Sequence, residues 1–208
     1  MINFSCRFKN LKIWGMNLNN RDVSTWYEER YKSTLKECSI DHEHNEYMIH
    51  SELAVVNFDA VKDDICKDNA NNITSLKSVD ALYFHKDQYT LYLIEFKNGV
   101  IEKKGKKNNI YSKLNILEIK EKIYDSFLML KHKNILDFNS INLNFILVYN
   151  PEKNPESNAK SAMHLARKSE QNFVRFGLNK FKSYLYNDIF TMTSQSFEEF
   201  VNKDFLTY

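Results

Sequence analysis

A chain of 208 residues in which 43% of the side chains are hydrophobic and 14% aromatic has the apolar surface to fold around one core, which excludes a disordered chain and sets the expectation of a single domain over 1–208. The formal charge of +2 confines any nucleic-acid-binding face to local lysine clusters, and the four glycines form no P-loop or dinucleotide fingerprint. No apolar run reaches the roughly 18 residues that span a bilayer, the start Met1-Ile2-Asn3-Phe4-Ser5-Cys6-Arg7 lacks a signal peptide's charged-then-apolar order, and Cys6, Cys38 and Cys66 form no C-x-x-C pair, so a cytoplasmic protein with reduced thiols and no membrane segment is expected.

In chain order, residues 8–14 read as a strand and 23–36 as a helix, which Asp22 or Ser24 caps by accepting backbone N–H bonds. From 46 to 67, Met48, Ile49, Leu53, Val56, Ala60, Val61 and Ile65 recur at three- and four-residue spacings, the stripe of an amphipathic helix that the Asn-rich stretch 67–72 ends. Two strands follow at 79–84 and 90–97, separated by the polar His85-Lys86-Asp87-Gln88, and they predict an antiparallel hairpin. The second is apolar at both parities, as a central strand covered on both faces must be. A helix over 112–130 turns Leu114, Leu117, Ile119, Ile123, Phe127 and Leu130 toward a core, and 142–149 is a further buried strand stopped by Asn150-Pro151. A helix over 159–173, a strand over 184–191 and a capping box Ser196-Phe197-Glu198-Glu199 opening a short helix complete the reading.

The hairpin brings chemistry together. A turn centred on Lys86-Asp87 pairs Phe84 with Tyr89 and sets Asp80 opposite Leu93; Glu95 then shares the face of Asp80 at a diagonal position, and Lys97 follows on that face because side chains alternate with period two. Two carboxylates and an ammonium at one strand end supply hard oxygen ligands for Mg2+ and a cation beside developing negative charge. The alternative is a buried structural ion-pair network, which gives less reason to gather three charges.

Asp80, fourteen intervening residues and Glu95-Phe96-Lys97 at the end of an apolar strand resemble the PD-(D/E)xK phosphodiesterase superfamily. The likeness covers roughly 46–149, where helix, hairpin, helix and strand follow in order; Val79 stands where the motif has proline, and no strand signal lies between Ile73 and Lys77. The resemblance implies an α/β fold with a restriction-endonuclease-like αβββαβ core, a central mixed sheet flanked by helices over about 46–150, with 1–45 and 151–208 packed on it as embellishments. It implies hydrolysis of a nucleic-acid backbone, DNA above all, with Mg2+ or Mn2+. Asp80 and Glu95 would then ligate the metal together with the backbone carbonyl of Phe96, and Lys97 would orient or activate water. Glu52, on the preceding helix, resembles the auxiliary acid of many members, or else sits on that helix's solvated side.

Around this set, Lys103, Lys104, Lys106 and Lys107 fit either a nucleic-acid-binding loop or a solvated run. One of Lys113, Lys120 and Lys122 can face the site from the following helix, and the sequence does not say which. Asp41-His42-Glu43-His44 carries ligand-type residues but reads as a solvated turn. A homodimer suits an enzyme that must reach two strands of a duplex. The alternative function is a catalytically silent module of the same fold that binds nucleic acid or a partner protein.

Overall fold

The computed structural model describes residues 31–68, 76–101, 110–132, 141–155 and 174–206. The strand expected over 8–14, the helix expected over 159–173, the lysines at 103, 104, 106 and 107 and most of the helix expected over 23–36 lie outside them. The elements are β1 (Lys32–Thr34), α1 (Leu35–Cys38), β2 (Ile40–Asp41), β3 (Glu46–Tyr47), β4 (Ala54–Asn57), α2 (Phe58–Asp68), β5 (Ala81–His85), β6 (Thr90–Lys97), α3 (Ile110–His132), β7 (Asn142–Tyr149), a 3-10 turn Leu178–Phe181, β8 (Asp188–Thr193) and a C-terminal helix Ser194–Phe200 that continues as the π turn Val201–Phe205. Six strands form one mixed sheet in the order β1-β4-β5-β6-β7-β8. Pairing is antiparallel from β1 through to β6, then parallel for β6 with β7 and for β7 with β8. The fold is thus α/β, a mixed central sheet flanked by helices. Among the described residues no helix is long and apolar enough to cross a membrane.

The apolar runs read from the sequence lie at the middle of this sheet. Leu93 in β6 and Phe145 and Leu147 in β7 are fully buried on the side of α2 and α3, against Val61, Ile119, Ile123 and Leu130. The alternate residues Ile94, Ile146 and Val148 are fully buried on the other side, beneath Leu35, Phe197, Val201 and Phe205. Burying such side chains on both faces contributes about 1.5–3 kcal/mol each, so β6 and β7 are the stable centre from which the ends of neighbouring strands project. The 142–149 strand and the long helix after the hairpin have the expected places, α3 running from Ile110 to His132.

Several expectations are corrected. The helix expected over 46–67 forms only as Phe58–Asp68; its first half is strand and loop, because Val55 and Val56 pair along β1 and β5 and the three- and four-residue spacing of Leu53, Val56 and Ala60 coincides by chance with a helical period. β4 precedes α2, so from 54 to 149 the order is β-α-β-β-α-β in place of a helix followed by three strands. The helix expected to reach Lys36 is strand at Lys32–Thr34 followed by a new short helix, whose N-cap Thr34 accepts from the Glu37 N–H at 3.1 Å. Leu117 is exposed on α3. The last strand is Asp188–Thr193, and its final residue caps the C-terminal helix by accepting from the Ser196 N–H at 3.1 Å, three residues before the expected capping serine.

Candidate metal centre

The geometry of the site begins with the hairpin turn. Phe84 pairs with Leu91, not Tyr89, so the turn has four residues, 86–89, and Tyr89 closes it with φ 46°. The expected register is corrected by two residues. A shift of two preserves the face, and continuing Leu82 with Leu93 and Ala81 with Ile94 by one step sets Asp80 across from Glu95 itself. The chain is pinned there on three sides. Val79 N–H donates to the buried Ser126 hydroxyl of α3 at 3.0 Å, Asp80 N–H to the Ile94 carbonyl at 3.1 Å, and Phe58 N–H, at the start of α2, to the Asp80 carbonyl at 3.1 Å.

The two carboxylates converge on one cation. Lys122 of α3 places its Nζ 3.1 Å from Asp80 Oδ1, 2.8 Å from Glu95 Oε1 and 2.9 Å from Glu95 Oε2. The second oxygen of Asp80 accepts from Phe96 N–H at 2.6 Å. Of the three candidate lysines on this helix, the site takes Lys122, a choice that only the helix's rotation about its axis determines. Glu95 is 2% exposed, Asp80 16% and Lys122 18%. Burial, then the neighbouring Asp80, pushes Glu95 well above the usual carboxylate range even with Lys122 beside it. Asp80 is raised by burial too, against the pull of Lys122 and the Phe96 N–H. Lys122 moves upward despite its burial because Glu95 and Asp80 hold its proton. Two carboxylates contact one ammonium, with Lys97 acting on Glu95 from farther off, and burial still raises both acids.

Lys97 faces the same helix. Its Nζ lies 3.2 Å from Glu118, one turn before Lys122, and Lys77 reaches Glu118 at 3.7 Å; together these ammoniums outweigh burial and hold Glu118 below its ordinary value. Asp59, at the start of α2, accepts from the Ser78 hydroxyl and pairs with Lys62 at 3.3 Å, and its charge acts on Asp80 and Lys122. Neither Asp59 nor Lys122 is singled out by sequence spacing, and each comes close only through the packing of α2 and α3 on the sheet. Glu52 is corrected. It lies in the loop before β4, not on a helix, 67% exposed and paired with Lys36 at 3.0 Å, at the end of β4 away from the Asn57–Ala81 pair beside Asp80.

A pocket of about 330 Å³ opens beside Asp80, lined also by Phe96, Lys97, Asn98, Gly99, Lys153 and the β2–β3 turn. Ile94 turns its carbonyl and Phe96 its N–H toward the β5 side; by strand geometry the Phe96 carbonyl is directed to that side too, past the point where β5 begins. Across the pocket Asp41 accepts from the Asn98 amide at 2.6 Å and lies 2.9 Å from His44 Nδ1, and a ligand atom from each of Asp41, Glu43 and His44 lies within 4.8 Å of the others. Glu43 and His44 are exposed, whereas Asp41 is half-buried and bonded both within the turn and to Asn98. The Asn98 and His44 bonds hold Asp41 down at about 2, so its contribution to stability is present above the ordinary 3.8 and is lost as pH falls through the lowered value. Asp41→Ala is accordingly expected to lower the urea midpoint at pH 7 but not at pH 2; an equal deficit at both would assign the effect to packing. Burial pushes the Cys38 thiol on the pocket wall up to about 12, so it presents no thiolate at neutral pH.

No family model, curated protein or solved structure matches this chain. What the site can do therefore rests on its donors. The oxygens of Asp80 and Glu95 already surround a single cation, the hard anionic set that Mg2+ or Mn2+ prefers, and an open pocket reaches Asp80 on the side of Lys97. These residues fit a divalent ion.

Proposed function

We propose that the protein is a divalent-metal-dependent phosphodiesterase that hydrolyses a nucleic-acid backbone, DNA above all, on a restriction-endonuclease-like core. The single observation that carries this reading is the convergence of Asp80 and Glu95 on one cation position, at the end of a central strand and next to a pocket that Asp80 and Lys97 help to line. The run β4-β5-β6-β7, antiparallel until the last pair and parallel there, supports the same core, with α2 placed after the first strand.

Asp80 and Glu95, with the Phe96 carbonyl, would hold Mg2+ or Mn2+. When bound, the ion supplies a Lewis acid that makes water a nucleophile at neutral pH and draws charge from the phosphate. The chain's own groups do the rest. Asp80 is fixed by the Phe96 N–H, so one oxygen stays aimed inward. Lys97 reaches the pocket from the strand and offers its ammonium to a phosphodiester oxygen or to the attacking water. Glu118 holds that ammonium in place at 3.2 Å until a substrate competes for it.

One observation favours a second reading, a silent binding module: the position between the acids is filled by Lys122, as in a permanent ion-pair network. The two readings part in one experiment. Purified protein is incubated with supercoiled plasmid, linear duplex, single-stranded DNA and RNA, each with EDTA, Mg2+ or Mn2+. Cleavage of DNA that needs Mg2+ or Mn2+ is expected. Cleavage that persists in EDTA overturns the metal reading, and intact substrates throughout leave the binding module.

A further inference from the structure

We infer that Lys122 is a displaceable gate of the metal centre, its ammonium and a divalent cation taking the same position between Asp80 and Glu95 in turn. The inference rests on the metal-dependent reading of this site and concerns how the ion gains access to it. Three carboxylate oxygens contact Nζ at 2.8, 2.9 and 3.1 Å, and the fourth, Asp80 Oδ2, is committed to the Phe96 N–H. Mg2+ binds oxygen at about 2.1 Å, so an ion held by these oxygens sits where Nζ is now, and the two cations exclude each other by contact as well as by charge.

The gate has somewhere to go. Glu95 is almost fully enclosed and Asp80 is pinned, whereas Lys122 is the one of the three on a long unbranched side chain, which can reorient without moving the backbone. Glu118 lies four residues earlier on α3, the spacing at which a helical lysine reaches an acid. In turning to Glu118, Lys122 would compete with Lys97 for that carboxylate, and Lys97 already borders the pocket. Ion entry would thus release the second lysine toward substrate. A permanent structural pair predicts no such exchange: the wild type would then bind no Mn2+ between Asp80 and Glu95, and the ion would bind there only once Lys122 was removed, so Mn2+ binding by the wild type is part of the test.

Mn2+ titration of the metal-stripped full chain tests this, using calorimetry and the Mn2+ paramagnetic signal on wild type, Lys122→Met and Lys122→Arg. Lys122→Met is expected to bind Mn2+ at least about tenfold more tightly than wild type, because a like charge at contact distance is gone, while Lys122→Arg, which keeps the charge, gains nothing. Lys122→Met should also show the largest Mn2+-induced rise in melting temperature, since an ion that binds only the folded chain stabilises in proportion to its affinity. If that variant is unfolded without metal, recovery of its circular dichroism spectrum on adding Mn2+ supports the gate, and a chain that stays unfolded in Mn2+ overturns it. Equal or weaker Mn2+ binding by Lys122→Met also overturns it, as does a wild type that binds no Mn2+. Metal-dependent cleavage by a wild type whose Mn2+ affinity is unchanged by Lys122→Met removes the gate alone; tighter binding in that variant with no nucleic acid cut by wild type removes the nuclease reading alone.

Discussion

Glu95→Gln is expected to reduce nucleic-acid cleavage by about a thousandfold or more, the upper end of what one preorganised charged group contributes, while leaving the chain folded. Gln fills the same volume but offers no anionic oxygen, and the site would retain only Asp80 as a charged ligand. The fold is expected to tolerate the change because of how Glu95 titrates. Burial and Asp80 raise its folded-state pKa above the ordinary 4.5; the folded chain therefore holds that proton more readily than the unfolded chain does. The stability linked to it is complete at low pH and is lost as pH rises through the folded value. Gln imitates the protonated acid, so the variant should be as stable as wild type or more so at pH 7, with the difference closing below pH 4.5. Single-turnover cleavage in Mn2+ and urea unfolding at the two pH values measure both halves. Cleavage at the wild-type rate would exclude Glu95 from the centre.

Lys97→Ala is expected to lower turnover by about a hundredfold, the scale of one lost electrostatic group, with Mn2+ affinity held or raised as the repulsion between ammonium and ion disappears. Glu118 keeps Lys77 as a partner at 3.7 Å, so α3 stays anchored at that point. Turnover and Mn2+ affinity measured on one preparation separate the two effects. Near-normal turnover would make Lys97 a structural partner of Glu118 and leave Lys122 as the lysine that acts on the reaction.

The centre of the sheet was legible because its physics is local. Strands apolar at both parities must be covered on both sides, and β6 and β7 lie where that rule puts them. Asp80, Glu95 and Lys97 were legible for the same reason, since parity along two strands fixes which side chains share a face. The errors come where two periods agree or where a distant contact decides. Leu53, Val56 and Ala60 match a helical stripe, yet Val55 and Val56 belong to β4, and Glu52 moves with them off the helix. Lys122 could not be told from Lys113 and Lys120 because the rotation of α3 depends on how Ile119, Ile123 and Leu130 pack against the sheet. Asp59 is brought toward Asp80 by the bond from the Phe58 N–H to the Asp80 carbonyl, a contact between elements whose sequence spacing carries no periodic signal.

The four-residue turn at 86–89 acts as a frame for everything downstream of it. Its length alone decides whether odd or even residues of β6 meet Asp80. If one residue were inserted and the turn kept at four, Glu95 would pass to the side of Tyr92, Ile94 and Phe96, and Ile94 would take its place opposite Asp80 and beside Lys122. Two residues would only slide the strands, as the difference between the expected and observed pairings illustrates. An odd slip of the strands at this turn is a frameshift in three dimensions: every residue downstream in the strand keeps its identity, and each acquires the meaning of its neighbour.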